Sequence, residues 1–286
     1  MLMERTMTQR VWLGIAAAAG LLAACAQDER PVVKDSDLPP DAPVDQTLPT
    51  LWIAGDSTVR NGGLQRGWGQ DIERFVDKKK IRVANRAIGG RSSRTFFTEG
   101  RWDKMLAEVK KGDIVLVQFG HNDVGPVGEG GKFRGSIKGT GEETEQVQRP
   151  DGVLETVHSF GWYLRQYART AKAKGATVVL CSPVPHKKFD AAGKFVPDWD
   201  QWRGWVKSSA KAESALYLDL CGIVGSAYAA MEPSQIEGFF ADKGTHTNHE
   251  GALFNAKCVI AGLRGLPGKP VDAYLNEEGS GIRPAR

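Results

Sequence analysis

From residue 50 onward, short apolar runs alternate with longer segments in which apolar residues recur at helical spacing. This alternation is typical of repeated strand–helix units, which place parallel strands in one sheet and helices on both of its faces. Strands are predicted near residues 50–54, 81–87, 113–119, 176–182 and 215–220, and helices over 68–79, 101–111, 156–174, 199–213 and 249–263. The predicted fold is a three-layer α/β/α domain with a five-stranded parallel sheet.

The rest of the chain divides around this domain, which we predict to span residues 49–270. Residues 125–152 are rich in Gly, Glu, Thr and Lys, and they predict a long surface excursion after the third strand. Such loops are either functional or mobile, so the excursion either contacts a substrate or is disordered. Residues 271–286 form a tail that is expected to wrap the surface or fray.

The N-terminus has the pattern of an export signal. Arg5 and Arg10 precede an apolar stretch over 11–24, which is too short for a confident membrane span. The stretch ends in Leu-Ala-Ala-Cys25, which resembles the lipobox of bacterial lipoproteins, where the cysteine is lipidated; an ordinary signal cleaved near Ala26 is the alternative. We therefore expect a signal at residues 1–25, a flexible tether at 26–48, and a periplasmic or outer-membrane-anchored protein.

Charge and cysteine content narrow the partners. The formal net charge of +4 is spread along the sequence, and the one compact basic run, Lys78-Lys79-Lys80, is expected on a solvated helix end, so nucleic acid is not a predicted partner. A weakly basic surface suits an acidic polysaccharide, although net charge alone does not decide this. Apart from Cys25, the cysteines are Cys181, Cys221 and Cys258. Either Cys181 and Cys221 form a disulfide, or all three are buried free thiols; the sequence leaves both open.

Four polar clusters lie where the predicted strands end or a helix begins. They are Gly55-Asp56-Ser57-Thr58, Gly89-Gly90-Arg91-Ser92, Gly120-His121-Asn122-Asp123 and Asp242-Lys243-Gly244-Thr245-His246. Because the carboxyl ends of parallel strands face one common crevice, clusters far apart in sequence are expected to meet there.

Together the clusters supply the groups needed for acyl transfer. Ser57 provides a hydroxyl nucleophile, but a serine after Gly-Asp is often only a turn or cap residue, and there is no Gly-x-Ser-x-Gly elbow. The backbone N–H of Gly90 and the side-chain amide of Asn122 could stabilise an oxyanion. His246 could act as the base, whereas a lone histidine is more often structural.

These residues resemble the four signature blocks of the SGNH (GDSL-type) hydrolases. The segments Gly-Gly-Arg-Ser-Ser-Arg-Thr-Phe over 89–96, Gln-Phe-Gly-His-Asn-Asp over 118–123 and Thr-His-Thr-Asn over 245–248 further resemble the rhamnogalacturonan acetylesterase branch. The similarity spans roughly residues 50–270. It implies a flavodoxin-like sheet, no metal or organic cofactor, and removal of acetyl groups from a pectic polysaccharide.

The resemblance also implies roles for individual residues. Ser57 would be the nucleophile and His246 the general base, while the backbone N–H groups of Ser57 and Gly90 and the Asn122 side chain would form the oxyanion hole. The family's acid usually stands three residues before the histidine, where this chain has Lys243. Either Asp242, four residues before, reaches His246, or a backbone carbonyl orients the imidazole in a dyad.

Further residues suggest the substrate and the competing functions. Arg91 and Arg94 could pair with uronate carboxylates, because guanidinium groups suit planar acids. His121 and His249 lack the further ligands of a metal site. The alternatives to a pectin acetylesterase are a xylan acetylesterase, a short-chain lipase or thioesterase, and a glycan-binding lipoprotein that lost the reaction; the polar crevice disfavours a lipase.

Overall fold

A computed structural model describes residues 47–285 and contains the predicted parallel sheet. The strands are β1 (Thr50–Gly55), β2 (Arg82–Asn85), β3 (Ile114–Gln118), β4 (Thr144–Gln148), β5 (Leu154–His158), β6 (Thr177–Cys181) and β7 (Leu216–Leu218). Five of them form one all-parallel sheet in the order β2-β1-β3-β6-β7, which is the flavodoxin-like order. The predicted fold class is confirmed, and all five predicted strands are present.

Helices cover both faces of the sheet. They are α1 (Ser93–Thr98), α2 (Arg101–Glu108), α3 (Phe160–Ala173), α4 (Asp200–Ala212), α5 (Leu220–Ala229), α6 (Pro233–Glu237), α7 (His249–Gly265) and α8 (Glu277–Gly281). Because successive strand residues point to opposite faces, Leu51 and Ile53 pack under α5 and α7, whereas Trp52 and Ala54 pack under α1 to α4. This alternation produces two apolar cores and three layers.

The helix predicted over 68–79 is wrong. The segment instead forms two short 3₁₀ turns, Trp68–Gln70 and Ile72–Phe75. The backbone N–H of Trp68 donates to Thr58 O at 3.1 Å, and that of Gly69 donates to Val59 O at 3.0 Å. These bonds hold the segment against the turn that carries Ser57, and a Cβ at residue 69 would lie 2.8 Å from Val59 O. Tertiary contact therefore replaces a continuous helical ladder.

The helix predicted over 156–174 begins late. Residues Leu154–His158 form strand β5, which pairs antiparallel with β4, and α3 begins only after Ser159, whose hydroxyl accepts from the Trp162 N–H at 3.1 Å. The excursion over 125–152 is therefore partly ordered as one arm of this hairpin. Within β5 only Val157 is buried, so the strand has no apolar alternation that could have identified it from the sequence.

The tail packs against the domain. Val271 and Leu275 are buried, Leu275 bridges to Val76, and the Asn276 N–H donates to Phe75 O at 3.1 Å. Cys181, Cys221 and Cys258 are buried free thiols. No helix within residues 47–285 has the length and apolarity needed to cross a bilayer. The predicted signal, the lipidation of Cys25 and nearly all of the tether lie outside the described residues.

Candidate active site

Ser57 lies in a tight turn directly after β1. The N–H groups of Val59 and Arg60 both donate to Asp56 O at 3.1 Å, and the Asp56 side chain accepts from the Thr58 N–H at 2.8 Å. This local bonding, favoured by an aspartate at the start of a turn, turns the chain sharply at the carboxyl edge of the sheet. Ser57 is 8% exposed, so the residue is nearly buried at this edge.

The late loop brings His246 and Asp242 to that hydroxyl. Ser57 Oγ lies 2.8 Å from His246 Nε2, and His246 Nδ1 lies 2.5 Å from Asp242 Oδ2. A carboxylate only accepts, so Nδ1 carries the proton and Nε2 is left with a lone pair toward the serine hydroxyl. The structure thus joins all three residues in one hydrogen-bonded chain, in the order expected of a nucleophile, a base and an orienting acid.

The electrostatics of Asp242 favour its ionised form. Burial raises the pKa of this carboxyl, but hydrogen bonds from the His246 side chain and from the backbone N–H groups of His246, Gly244 and Thr245 outweigh it. The net effect holds the pKa of Asp242 well below its usual range. A carboxylate is therefore present to stabilise an imidazolium if His246 takes a proton.

The three predicted oxyanion donors follow three neighbouring strands. Ser57 follows β1, and Gly90 and Asn122 follow the flanking strands β2 and β3. The Asn122 Nδ2 donates one hydrogen to Arg91 O at 2.9 Å, and the amide retains a second hydrogen. Gly90 adopts φ +78°, a left-handed conformation that glycine tolerates without strain. Among residues 47–285 the backbone N–H groups of Ser57 and Gly90 have no acceptor. The carboxyl edge thus offers three free donors on adjacent strand ends.

A buried polar network below Ser57 escaped the sequence analysis. Trp68 Nε1 donates to Gln118 Oε1, Gln118 Nε2 donates to Thr58 Oγ1, and Thr58 Oγ1 donates to Asp56 Oδ1, at 2.8, 2.8 and 2.7 Å. Every step has a donor and an acceptor, so the network fixes the turn that carries the nucleophile. The available signal was a glutamine at the end of an otherwise apolar strand.

His121 stands behind the nucleophile turn. Its Nδ1 lies 3.4 Å from Asp56 Oδ2, and its Nε2 lies 3.1 Å from Val184 O. Burial raises the pKa of Asp56, but the electrostatic effect of the neighbouring His121 imidazole, with hydrogen bonds from Thr58, outweighs it and lowers that pKa overall. His249, the other histidine considered for a metal, is exposed at the start of α7. No group of three potential metal ligands occurs among residues 47–285.

The two arginines predicted to bind substrate have different environments. Arg94 is fully buried on α1, where its Nε and Nη2 donate to Glu155 at 2.7 and 2.8 Å and its Nη1 donates to two backbone carbonyls. It is not available to a substrate, and that prediction is wrong. Arg91 lies before the helix, with its side chain 21% exposed and paired with Glu99 at 3.1 Å.

Comparisons with known proteins place the chain in a family of ester hydrolases. Residues 53–253 match the model of the GDSL-like Lipase/Acylhydrolase family. The chain is 32% identical over 211 residues to a rhamnogalacturonan acetylesterase of Emericella nidulans, covering 74% of this chain and 83% of that protein. It is 31% identical over 239 residues to the probable rhamnogalacturonan acetylesterase YesY of Bacillus subtilis, covering 76% and 94% respectively.

A solved protein structure is also similar to this chain. The crystal structure of protein YxiM from Bacillus subtilis superposes with a TM-score of 0.62 at 27% identity, covering 76% of this chain and 56% of that one. A parallel α/β sheet with this array at its carboxyl edge defines the protein as a carboxylic ester hydrolase. The chain belongs to the GDSL-like lipase/acylhydrolase family, the SGNH hydrolases.

Proposed function

We propose that this protein removes O-acetyl groups from a plant-wall polysaccharide, with acetylated rhamnogalacturonan as its substrate. The observation that carries the chemistry is the continuous hydrogen-bonded chain from Ser57 Oγ through His246 to Asp242. The similarity to one protein named a rhamnogalacturonan acetylesterase and another named a probable one, over most of the length of each, supports the choice of polymer.

The first half of the reaction uses this hydrogen-bonded chain. Ser57 Oγ attacks the acetyl carbonyl carbon while its proton passes to His246 Nε2, and the negative charge develops on the carbonyl oxygen. The N–H groups of Ser57 and Gly90 and the free hydrogen of Asn122 Nδ2 stabilise that oxyanion. The bond between the acetyl carbon and the sugar oxygen then breaks, and His246 returns the proton to the sugar oxygen. This leaves acetyl-Ser57 and a free sugar hydroxyl.

The second half regenerates the enzyme. Water attacks the acetyl carbon, its proton passes to His246 Nε2, and the same donors hold the new oxyanion. The ester bond to Ser57 breaks, the proton on His246 returns to Ser57 Oγ, and acetic acid leaves and ionises to acetate in solution. Asp242 remains ionised throughout and keeps the Nδ1 proton in place. The residues named balance every proton in both halves.

The test is acetate release by the purified protein from acetylated rhamnogalacturonan, acetylxylan and a small aryl acetate, with Ser57→Ala in parallel. We expect release from the pectic polymer, and a loss of several orders of magnitude in the variant with an unchanged thermal unfolding midpoint. Turnover of the aryl acetate alone would support the esterase activity and reject the pectic polymer as the substrate. Release by Ser57→Ala at the wild-type rate would reject the nucleophile.

We also propose that the protein is exported and anchored by a lipid on Cys25. The support is the sequence alone: a basic start, an apolar stretch and a lipobox-like Leu-Ala-Ala-Cys. Mass spectrometry of the mature N-terminus tests it, with Cys25→Ala as the comparison. A diacylated Cys25 and a membrane-bound protein are expected; a mature chain beginning at another residue without lipid would reject the anchor.

A further inference from the structure

Arg134 reaches the catalytic edge from the long excursion over 125–152, in which the sequence predicted no site residue. Its Nη1 donates to Gly90 O at 3.3 Å, and the side chain is only partly buried. Gly90 is the residue whose N–H is assigned to the oxyanion hole. A guanidinium in contact with the backbone of that glycine lies beside the position of the reacting acetyl group.

The Arg134 guanidinium is not neutralised by an ion pair within residues 47–285. No carboxylate within the described part of the chain forms an ion pair with Arg134, and Gly90 O is its one hydrogen-bond acceptor there. The carboxylates that act on it electrostatically are Asp56 and Asp123, which are fully buried and engaged by other groups. Burial, followed by repulsion from Arg91, lowers the pKa of Arg134 more than those carboxylates raise it. A partly desolvated cation without a partner favours an anionic ligand.

The excursion holds Arg134 in a fixed place. The next residues are anchored, because Arg94 Nη1 donates to Gly135 O at 2.8 Å and Ser136 Oγ donates to Asp123 Oδ1 at 2.9 Å. The preceding residue, Phe133, adopts φ +51°, a left-handed conformation that is unfavourable for a side chain of this size. The backbone thus directs Arg134 toward Gly90 at a conformational cost, as is common at functional sites.

An open groove lies beside Phe133, the residue before Arg134. It has a volume of about 330 Å³, within the range of small-ligand sites, and its lining includes Thr95, Glu99, Lys132, Phe133 and Arg149. Both acids of the groove are already paired, Glu99 with Arg91 and Asp151 with Arg149. Lys132, like Arg134, has no ion-pair partner among residues 47–285. The unbalanced charge on this side of the catalytic edge is therefore positive.

We propose that Arg134 forms a subsite for a carboxylate of the substrate chain, on the uronate sugar that carries the acetyl group or on its neighbour. The planar guanidinium retains four N–H donors beyond the bond to Gly90, enough for a two-point contact with a carboxylate. This assignment rests on the proposed function. It replaces Arg94, which is fully buried and uses four of its five N–H donors within the protein, and it makes Arg134 the residue that favours acidic over neutral glycans.

The experiment compares acetylated rhamnogalacturonan oligosaccharides with the same oligosaccharides after reduction of their carboxyl groups to alcohols. Both substrates are tested with the wild type, Arg134→Gln, Arg134→Lys and Arg74→Gln. The last is a matched control, because Arg74 is an exposed arginine whose ion partner is Glu278. Thermal unfolding midpoints establish that each variant is folded.

We expect Arg134→Gln to lower kcat/KM for the acidic oligosaccharide about 10- to 100-fold, chiefly through KM, as for the loss of a charge-assisted hydrogen bond. The carboxyl-reduced substrate should lose far less, and Arg134→Lys should recover part of the preference because it restores the charge without the planar fork. Added salt should weaken the acidic preference of the wild type and not that of the variant.

The outcomes separate this subsite from the proposed function. Equal losses on both substrates would overturn the subsite and leave Arg134 as a support for Gly90. No loss on either would overturn it as well. In both cases wild-type acetate release from the pectic substrate would leave the proposed function standing, whereas absence of release by the wild type from both substrates would reject the proposed function first.

Discussion

Asp242 Oδ2 lies 2.5 Å from His246 Nδ1 although Lys243 occupies the position from which the family's acid usually acts. The other oxygen, Oδ1, accepts from the backbone N–H groups of Gly244, Thr245 and His246 at 2.9, 2.8 and 3.0 Å. The carboxylate therefore folds the loop around itself and absorbs the extra residue, while Lys243 remains exposed. Of the two arrangements open from the sequence, the structure contains the one in which Asp242 reaches the imidazole.

Asp242→Asn is expected to lower kcat about 10²- to 10⁴-fold, whereas Lys243→Ala should stay within about threefold of the wild type. The asparagine can still accept the loop N–H groups, but its amide would present hydrogens to Nδ1 and favour the wrong imidazole tautomer. Initial rates on an aryl acetate and on the pectic polymer measure both variants. Small, equal effects would favour a dyad oriented by the backbone.

Asn122→Ala is expected to lower kcat about 10²- to 10³-fold with little change in KM, because the donor acts on charge that develops in the transition state. Asn122 also donates a hydrogen bond to Arg91 O. A fall in kcat caused by local disorder must therefore be distinguished from one caused by the loss of the oxyanion donor. Asn122→Asp retains the shape and adds a negative charge; it should be at least as slow. A change confined to KM in both variants would place Asn122 in substrate binding.

The sequence predicted the parts of the site that follow strands. Short apolar runs end at Gly55 and Gln118, so Ser57 and Asn122 could be placed at one edge from the strand order alone. Arg91 and Arg94 could not be distinguished, because they share one short motif and differ only in the direction that α1 gives them. Arg134 lies in a polar excursion with no periodic pattern, and only tertiary contacts bring it to Gly90.

The two wrong helix predictions, over 68–79 and at the start of 156–174, also arise from contacts between residues distant in sequence. Periodicity favoured a helix over 68–79, but the segment packs against the Ser57 turn through the N–H groups of Trp68 and Gly69 and forms only two 3₁₀ turns. The hairpin of β4 and β5 is exposed along most of both strands, so it lacks the apolar alternation that identifies a half-buried sheet. In each case the deciding interactions are distant in sequence.

Arg94→Met is expected to destabilise the protein by about 3–5 kcal/mol, because it leaves the nearly buried Glu155 carboxylate with only the more distant guanidinium of Arg149, at 3.7 Å. Thermal and urea unfolding measure the loss. The matched control is Arg169→Met, whose guanidinium pairs with Glu213 in a similar two-point geometry but is 58% exposed, and which should change the stability far less.

The double variant Arg94→Met, Glu155→Leu distinguishes the origin of that loss. If the cost arises from the unpaired carboxylate, removing it should restore part of the stability. A double variant no more stable than Arg94→Met would show instead that the two carbonyl bonds of Arg94, to Val127 and Gly135, hold the excursion in place.

Asp123 provides the pH prediction. Burial raises the pKa of Asp123 to about 6 from an ordinary value of 3.8, although Ser93 and Ser136 donate hydrogen bonds to the carboxylate and oppose the rise. The folded state therefore binds a proton more tightly than the unfolded chain does. Its stabilising contribution is fully present below about pH 4 and is lost as pH rises through about 6.

Asp123→Asn should accordingly become more stable relative to the wild type as pH rises from about 4 to 6, by up to about 3 kcal/mol, and the difference should be constant above that range. Free energies of unfolding in urea at a series of pH values measure it. Because both proteins share every other titrating group, the difference isolates Asp123. The amide also meets the Ser93 N–H, so the absolute difference has an offset that does not change with pH. A difference independent of pH between 4 and 7 would show that Asp123 titrates in the folded protein as it does in the unfolded chain.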